Sequence, residues 1–160
     1  MRIERFDADR AALAPLFAMA DDSPSQVAAY LAQGDVFVAR EGDALIGYSQ
    51  ILIADGEAVF ELKSIAVIES RRGEGVGRKL IEAAIAYCRH RNGHRLIVST
   101  ATADIENLRF YQRRGFRMYK IVQDAFCPST GYAENTLIDG IPLRDQVYLE
   151  YGLNVSRRWQ

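Results

Sequence analysis

Cysteine is scarce in this sequence: Cys88 and Cys127 lie far apart and form no Cys-x-x-Cys motif. That excludes a dithiol redox motif, and a cytosolic location is expected. Charge of one sign is missing too. The net charge is −1, so no global basic field draws the chain to nucleic acid. No apolar run approaches the ~18–20 residues that span a membrane. The first ten residues, MRIERFDADR, contain acids and no apolar h-region, so a signal peptide is not expected. The two histidines, His90 and His94, have metal-like spacing, but Asn92-Gly93 interrupts the helix between them and no carboxylate or cysteine completes a set. Both read as surface residues, and no metal is expected. There is no repeat, linker or low-complexity stretch. Hydrophobic residues make up 49% and charged residues 26% of the 160 residues, the balance of a single globular domain, 1–160.

Periodicity then supplies the elements. Arg2–Phe6 alternates as an edge strand. A helix is expected from about Asp9 to Met19, shortened or kinked by Pro15. Ser23 is placed to cap a second short helix that has Pro24 at its first position and runs to about Gln33. Val36–Arg40 and Ala44–Ala54 read as strands joined by the tight turn Glu41-Gly42-Asp43. Ala58–Val67 reads as a third strand that becomes continuously apolar, as a central strand does. Val76 to about Arg91 is the clearest helix, with Val76, Leu80, Ile81, Ala84, Ile85 and Cys88 on one face; Cys88 there reads as a small buried hydrophobe. Leu96–Ser99 is a short strand. A helix follows from about Asp104 to Arg114, then the strand Gly115–Val122. Asp124–Ile141 is expected to be irregular, Asp145–Tyr151 closes the domain as a strand, and Asn154–Gln160 reads as a tail. The order is β-α-α-β-β-β-α-β-α-β-β, a mixed α/β domain.

The chemistry concentrates in Arg71-Arg72-Gly73-Glu74-Gly75-Val76-Gly77-Arg78-Lys79, between a buried strand and the best helix. Glycine at three alternate positions removes the Cβ atoms that keep a ligand from the backbone. Amides of the turn and of the first helical residues then converge, and the helix dipole favours an anion there. Arg72, Arg78 and Lys79 add positive charge, so a diphosphate suits the site. A P-loop fits worse, because Gly77 is followed by Arg-Lys-Leu. The dinucleotide fingerprint also fits worse, since the spacing is G-x-G-x-G.

Arg72-Gly73-Glu74-Gly75-Val76-Gly77 resembles the R/Q-x-x-G-x-G/A signature of the GNAT superfamily of N-acetyltransferases. Ser64-Ile65-Ala66-Val67 stands before it as that family's strand does. Asn107 to Phe116 (NLRFYQRRGF) resembles the family's second motif. The resemblance implies a GNAT-like fold, a mixed and mostly antiparallel central sheet flanked by helices, and an acetyltransferase that uses acetyl-coenzyme A without a metal. It implies that amides from Gly73, Glu74, Gly75, Val76, Gly77 and Arg78, with Arg72, hold the pyrophosphate. Ile65, Ala66 and Val67 would pair with the pantetheine arm as an added strand does. Asn107 would bond the pantetheine, and Tyr111 would serve as general acid to the leaving thiolate. A primary amine would attack directly in a ternary complex. Glu61, on the strand beside the cofactor, is the candidate base, directly or through water. A backbone amide near Val67 is the candidate group to polarise the carbonyl.

By the same resemblance, the acceptor would be lined by Ala20–Gln26 and Asp124–Leu143. Asp21, Asp22, Phe126, Tyr132, Glu134 and Asp139 fall there, a mixture of acids and aromatics suited to a cationic small-molecule amine. The C-terminal stretch from Tyr132 to Ile141 resembles that of a bacterial subgroup of small acetyltransferases. A homodimer is common in the family, with the last strand or Asp124–Ile141 as interface. A non-catalytic acyl-coenzyme A sensor, and an enzyme acting on a protein or aminoacyl-RNA, remain as alternatives.

Overall fold

The computed structural model describes residues 1–56 and 58–154. Strands β1 (Arg2–Arg5), β2 (Asp35–Glu41), β3 (Ala44–Asp55) and β4 (Val59–Val67) are successive antiparallel neighbours. Helices α1 (Ala14–Ala20) and α2 (Pro24–Tyr30) fill the connection between β1 and β2. After β4 the chain crosses over through α3 (Val76–His90) to β5 (Arg95–Ala101), which runs parallel to β4. A parallel pair requires a connection of this length. Helix α4 (Ile105–Arg113) and β6 (Arg117–Val122) follow. The short strands β7 (Leu137–Ile138) and β8 (Ile141–Pro142) form a separate hairpin, and β9 (Gln146–Gly152) inserts between β5 and β6. The main sheet has the order β1-β2-β3-β4-β5-β9-β6. No described helix is long and apolar enough to cross a membrane.

Alternation along β2 sends Val36 and Val38 to one face of the sheet and Phe37 and Ala39 to the other. The first pair packs with Tyr48 against Phe17 of α1 and Tyr30 of α2. On the second face lies α3, whose Ile81, Ala84, Ile85 and Cys88 meet Phe60, Leu62, Leu96 and Val98. With both faces covered, β3 is buried without interruption from Ile46 to Ile51. The expected stripe on α3 is the face that packs, and Cys88 is fully buried in it.

Three local expectations change. Pro15 does not kink a helix: a 3₁₀ turn, Arg10–Leu13, is capped by Asp9, and Pro15 then sits in the first turn of α1. A missing N–H costs nothing there. β5 extends two residues past Ser99 because β9 pairs along its whole length. Asp124–Ile141 contains a 3₁₀ turn at Pro128–Thr130 and half of the β7–β8 hairpin. Ser23 and Asp104 cap α2 and α4 as read, accepting from the N–H groups of Gln26 (3.3 Å) and Asn107 (3.0 Å). Past Asn154, the expected tail lies outside the described residues.

Leu80 is fully buried against Ala39, Ile46 and Val76, where α3 crosses β2 and β3. Leu80→Ala is expected to lower the unfolding free energy by ~2–5 kcal/mol, read as a shifted midpoint in urea denaturation. A loss below ~1 kcal/mol would mean that the helix closes the cavity by moving.

Candidate active site

The sheet opens at its centre. β4 and β5 pair only from Val59–Leu62 against Arg95–Val98. Beyond these residues β4 stays with β3 up to Val67, and β5 stays with β9 up to Ala101. The two strands therefore part at Leu62 and Val98. A cleft of about 400 Å³ occupies the fork. Leu62–Ile65 and Val98–Ala101 line it from the two strands, and Asp104, Asn107 and Tyr111 line it from α4. The α1–α2 loop contributes Asp21 and Asp22, α2 contributes Gln26, and the long strap after β6 contributes Phe126, Thr130 and Tyr132.

The glycine turn stands at the end of β4. Gly73 and Gly75 have φ of 79° and 84°, left-handed values that a side chain resists. Open space faces Gly73, and only the Arg78 guanidinium approaches Gly75, at 4.0 Å from where a Cβ would sit. Gly77 has another reason to lack a side chain: a Cβ there would lie 3.1 Å from the Phe110 ring, so it serves the approach of α4 to α3. Gly75 is the N-cap of α3 and no side chain caps this helix. The first-turn amides of Val76, Gly77 and Arg78 thus lack intrahelical acceptors, as an anion site at a helix start requires. Val76 itself turns into the core. The Arg72 Nε donates to the Val67 carbonyl (3.2 Å), tying the turn back to β4. Glu74 pairs with Arg71 at 2.5 Å, and Arg71 also pairs with Glu41.

Asn107 Nδ2 donates to Thr100 Oγ1 (3.2 Å), so its amide is held across the cleft from β4. Tyr111 is 4% exposed, packed edge-on between Phe110 and Phe116 at 5.3 and 5.7 Å. Burial pushes its phenol well above the ordinary tyrosine value, with the Asp104 charge adding to the effect. It stays protonated at neutral pH and faces the cleft as a donor.

These features match a known family. The model of the acetyltransferase (GNAT) family covers residues 7–116. The chain belongs to the GNAT acetyltransferase family. It is 33% identical to the uncharacterized N-acetyltransferase YvbK of Bacillus subtilis over 149 residues, 93% of this chain and 94% of that one. The structure superposes on a Bacillus subtilis acetyltransferase in complex with coenzyme A (TM-score 0.85, 32% identity, 94% and 97% of the two chains). It also superposes on a GNAT acetyltransferase of Elizabethkingia anophelis with acetyl-coenzyme A bound (TM-score 0.86, 26% identity, 94% and 97%). The protein is an acetyl-coenzyme A-dependent acyltransferase with the GNAT fold. The uncapped turn and the unpaired edge of β4 fit that cosubstrate, and among the described residues no cluster of His, Cys, Asp and Glu is placed to hold a metal.

Other sequence-read residues of this acetyltransferase fall differently. Ile65 lines the cleft, whereas Ala66 and Val67 pack into the core on opposite faces of β4. Glu61 is not among the cleft-lining residues. It lies below the fork, 3.8 Å from the Lys63 ammonium, and after burial its charge is what raises the Tyr148 phenol. Asp21, Asp22, Phe126 and Tyr132 do meet in the cleft. Glu134 and Asp139 do not: both are exposed outside it, Asp139 in the β7–β8 turn at φ 49°. That corrects the expectation of an acid-lined strap: Asp139 sits in the hairpin turn and Glu134 in the exposed turn before it.

Sequence reasoning missed how Asp21 is used. Its Oδ1 accepts from the Ser23 N–H (2.9 Å) and the Tyr132 hydroxyl (3.1 Å), and its Oδ2 from the Tyr30 hydroxyl (3.0 Å). Gln26 Nε2 donates to the Thr130 carbonyl at 2.8 Å. Together these clasp the strap to the α1–α2 loop over the cleft. It also missed Lys63, Ser64, Tyr30 and Gln146 as lining residues, which no local signal marks.

Cys127 begins the strap's 3₁₀ turn, its sulfur 3.0 Å from Ser129 Oγ and 3.6 Å from Thr130 Oγ1. These hydroxyls hold its thiol below the ordinary value, while burial pushes the Cys88 thiol up to about 12. At pH 7–8 an alkylating reagent is expected to modify Cys127 first and to reach Cys88 only on unfolding. Mass spectrometry of the native protein checks this, and equal labelling of both thiols would contradict it.

Proposed function

We propose that this enzyme transfers the acetyl group of acetyl-coenzyme A to a primary amine of a small molecule, by direct attack in a ternary complex. The observation that carries the reading is the fork. It exposes one edge of β4 between a glycine-rich helix start and the α4 residues Asn107 and Tyr111.

Each residue then has a task. The amides of Gly73 to Arg78, with Arg72 and Arg78, hold the pyrophosphate at the start of α3. The free edge from Ile65 to Val67 pairs with the pantetheine arm, and Asn107 bonds it from the opposite wall. A backbone N–H near Val67 polarises the thioester carbonyl. The acceptor lies under the clasped strap, which leaves room for a small molecule and narrows the approach of a folded protein. An alkylamine has a reference pKa of ~10.4, so it loses a proton before it attacks. Glu61 accepts that proton through water. The carbon–nitrogen bond forms as the carbon–sulfur bond breaks, and Tyr111 donates its proton to the departing thiolate. A tyrosine is protonated at neutral pH, and burial raises this phenol further.

Gly75→Asp is expected to abolish acetyl-coenzyme A binding in calorimetric titration, because a side chain strains the left-handed N-cap and sets an anion beside phosphate. Normal affinity in that variant would place the phosphate site elsewhere.

Tyr111→Phe is expected to lower kcat on the order of 10²-fold or more while acetyl-coenzyme A affinity stays nearly unchanged. A loss of less than about threefold would remove Tyr111 from the chemistry, and coenzyme A binding without turnover in the wild type would favour a sensor.

A further inference from the structure

β4 runs in the middle of a sheet, yet it carries a lysine at the fork. The register explains how. Gln50 of β3 faces Ser64 and Ile51 faces Leu62, so Lys63 is an extra residue without a partner on β3. A bulge of this kind re-aims a side chain that the ladder would otherwise fix. Leu62 consequently faces the α3 core while Ser64 faces Tyr48 on the other side. Lys63 is turned into the cleft, with its side chain 33% exposed.

Among the described residues lining the cleft, Lys63 is the one lysine or arginine. Its ammonium stands 5.0 Å from the centre of the Tyr30 ring and 3.8 Å from Glu61. Two of the three acids that share the cleft are engaged, while Asp22 is exposed. Asp21 accepts three hydrogen bonds, and Asp104 accepts the Asn107 N–H as the cap of α4. Three ammonium hydrogens are therefore served by one long ion pair and one aromatic face. An anion in the cleft finds its partner here.

We infer that Lys63 is a specificity-determining residue, and that the acceptor carries a carboxylate close to the amine that is acetylated, as an α-amino acid does. This rests on the proposal that the cleft holds an amine acceptor. The closeness follows from where Lys63 stands. It sits where β4 and β5 part, at the end of the edge assigned to the pantetheine arm, so the acceptor's anionic group lies next to the reacting centre. A long cationic polyamine places no such group there.

The test compares α-amino acids with their own carboxamides as acceptors, by kcat/KM. A carboxamide has the more easily deprotonated amine, so amine basicity alone favours the amide. A preference for the acid then reports recognition of its charge. The wild type is expected to prefer the free acid by about tenfold or more, the scale of a charge-assisted hydrogen bond. Lys63→Met is expected to bring acid and amide to parity, and Lys63→Arg to keep the preference. Acetyl-coenzyme A affinity, measured on each variant, reports folding and the cofactor site separately. A wild-type ratio near one, a preference that survives Lys63→Met, or turnover of polyamines but of no amino acid would overturn the inference. Failure of the wild type to acetylate any amine while binding acetyl-coenzyme A would overturn the acceptor reading and this inference with it.

Discussion

The site depends on a pairing that stops early. β4 and β5 share only four residue pairs, because each strand has a stronger claim on its far side. β3 holds β4 up to Val67 and β9 holds β5 up to Ala101, both in antiparallel ladders. The fork leaves backbone groups of Lys63 to Val67 without a strand partner toward β5. Unpaired backbone groups inside a protein are costly unless water or a ligand completes them. Helix α4 begins four residues after β5 ends and lends Asn107 and Tyr111 to the cleft, and α3 follows β4 after the glycine turn.

Close packing turns that topology into a defined geometry. Gly77 lets the Phe110 ring lie against the first turn of α3. The next residue, Tyr111, is wedged between Phe110 and Phe116, and its hydroxyl end reaches the cleft. One absent methyl group on α3 thus sets the depth of a phenol on α4. Burial in that wedge raises the phenol further above neutral pH, so the packing that positions the group reinforces the protonated form that a tyrosine already has.

What the sequence discloses here is what local chemistry dictates. Glycine at left-handed positions, Ser23 and Asp104 at helix starts, Pro24 at a first turn and the apolar face of α3 act within a few residues of themselves. They were readable for that reason, and so was the order of elements. Asn107 and Tyr111 were readable through a motif. Lys63 was not, because its orientation comes from a bulge defined by the register of β3, and alternation alone groups it with Glu61. Nor was the hairpin legible that removes Asp139 from the site: Leu137–Ile138 and Ile141–Pro142 are too short to show a period. Pro15 was legible in part: it shortens the helix as read, but by starting α1 and not by kinking it, since a proline suits a first turn.

Asp21 shows how composition can mislead about charge. Two adjacent acids in the α1–α2 loop suggest a cation site, yet Asp21 spends both oxygens on the protein. Its bonds to Tyr30 and Tyr132 raise both phenols, after burial, and join α2 to the strap through one carboxylate. An ionised carboxylate has about four acceptor sites and Asp21 uses three, so a substrate ammonium group would find one site left beside those hydroxyls. An anion at Lys63 needs none of them. It would bind on the β4 side of Tyr30, leave the Asp21 bonds intact and keep the strap docked on the α1–α2 loop. Charge recognition and closure of the cleft are compatible for an acidic acceptor, because Asp21 holds the Tyr30 hydroxyl while Lys63 stands at the Tyr30 ring.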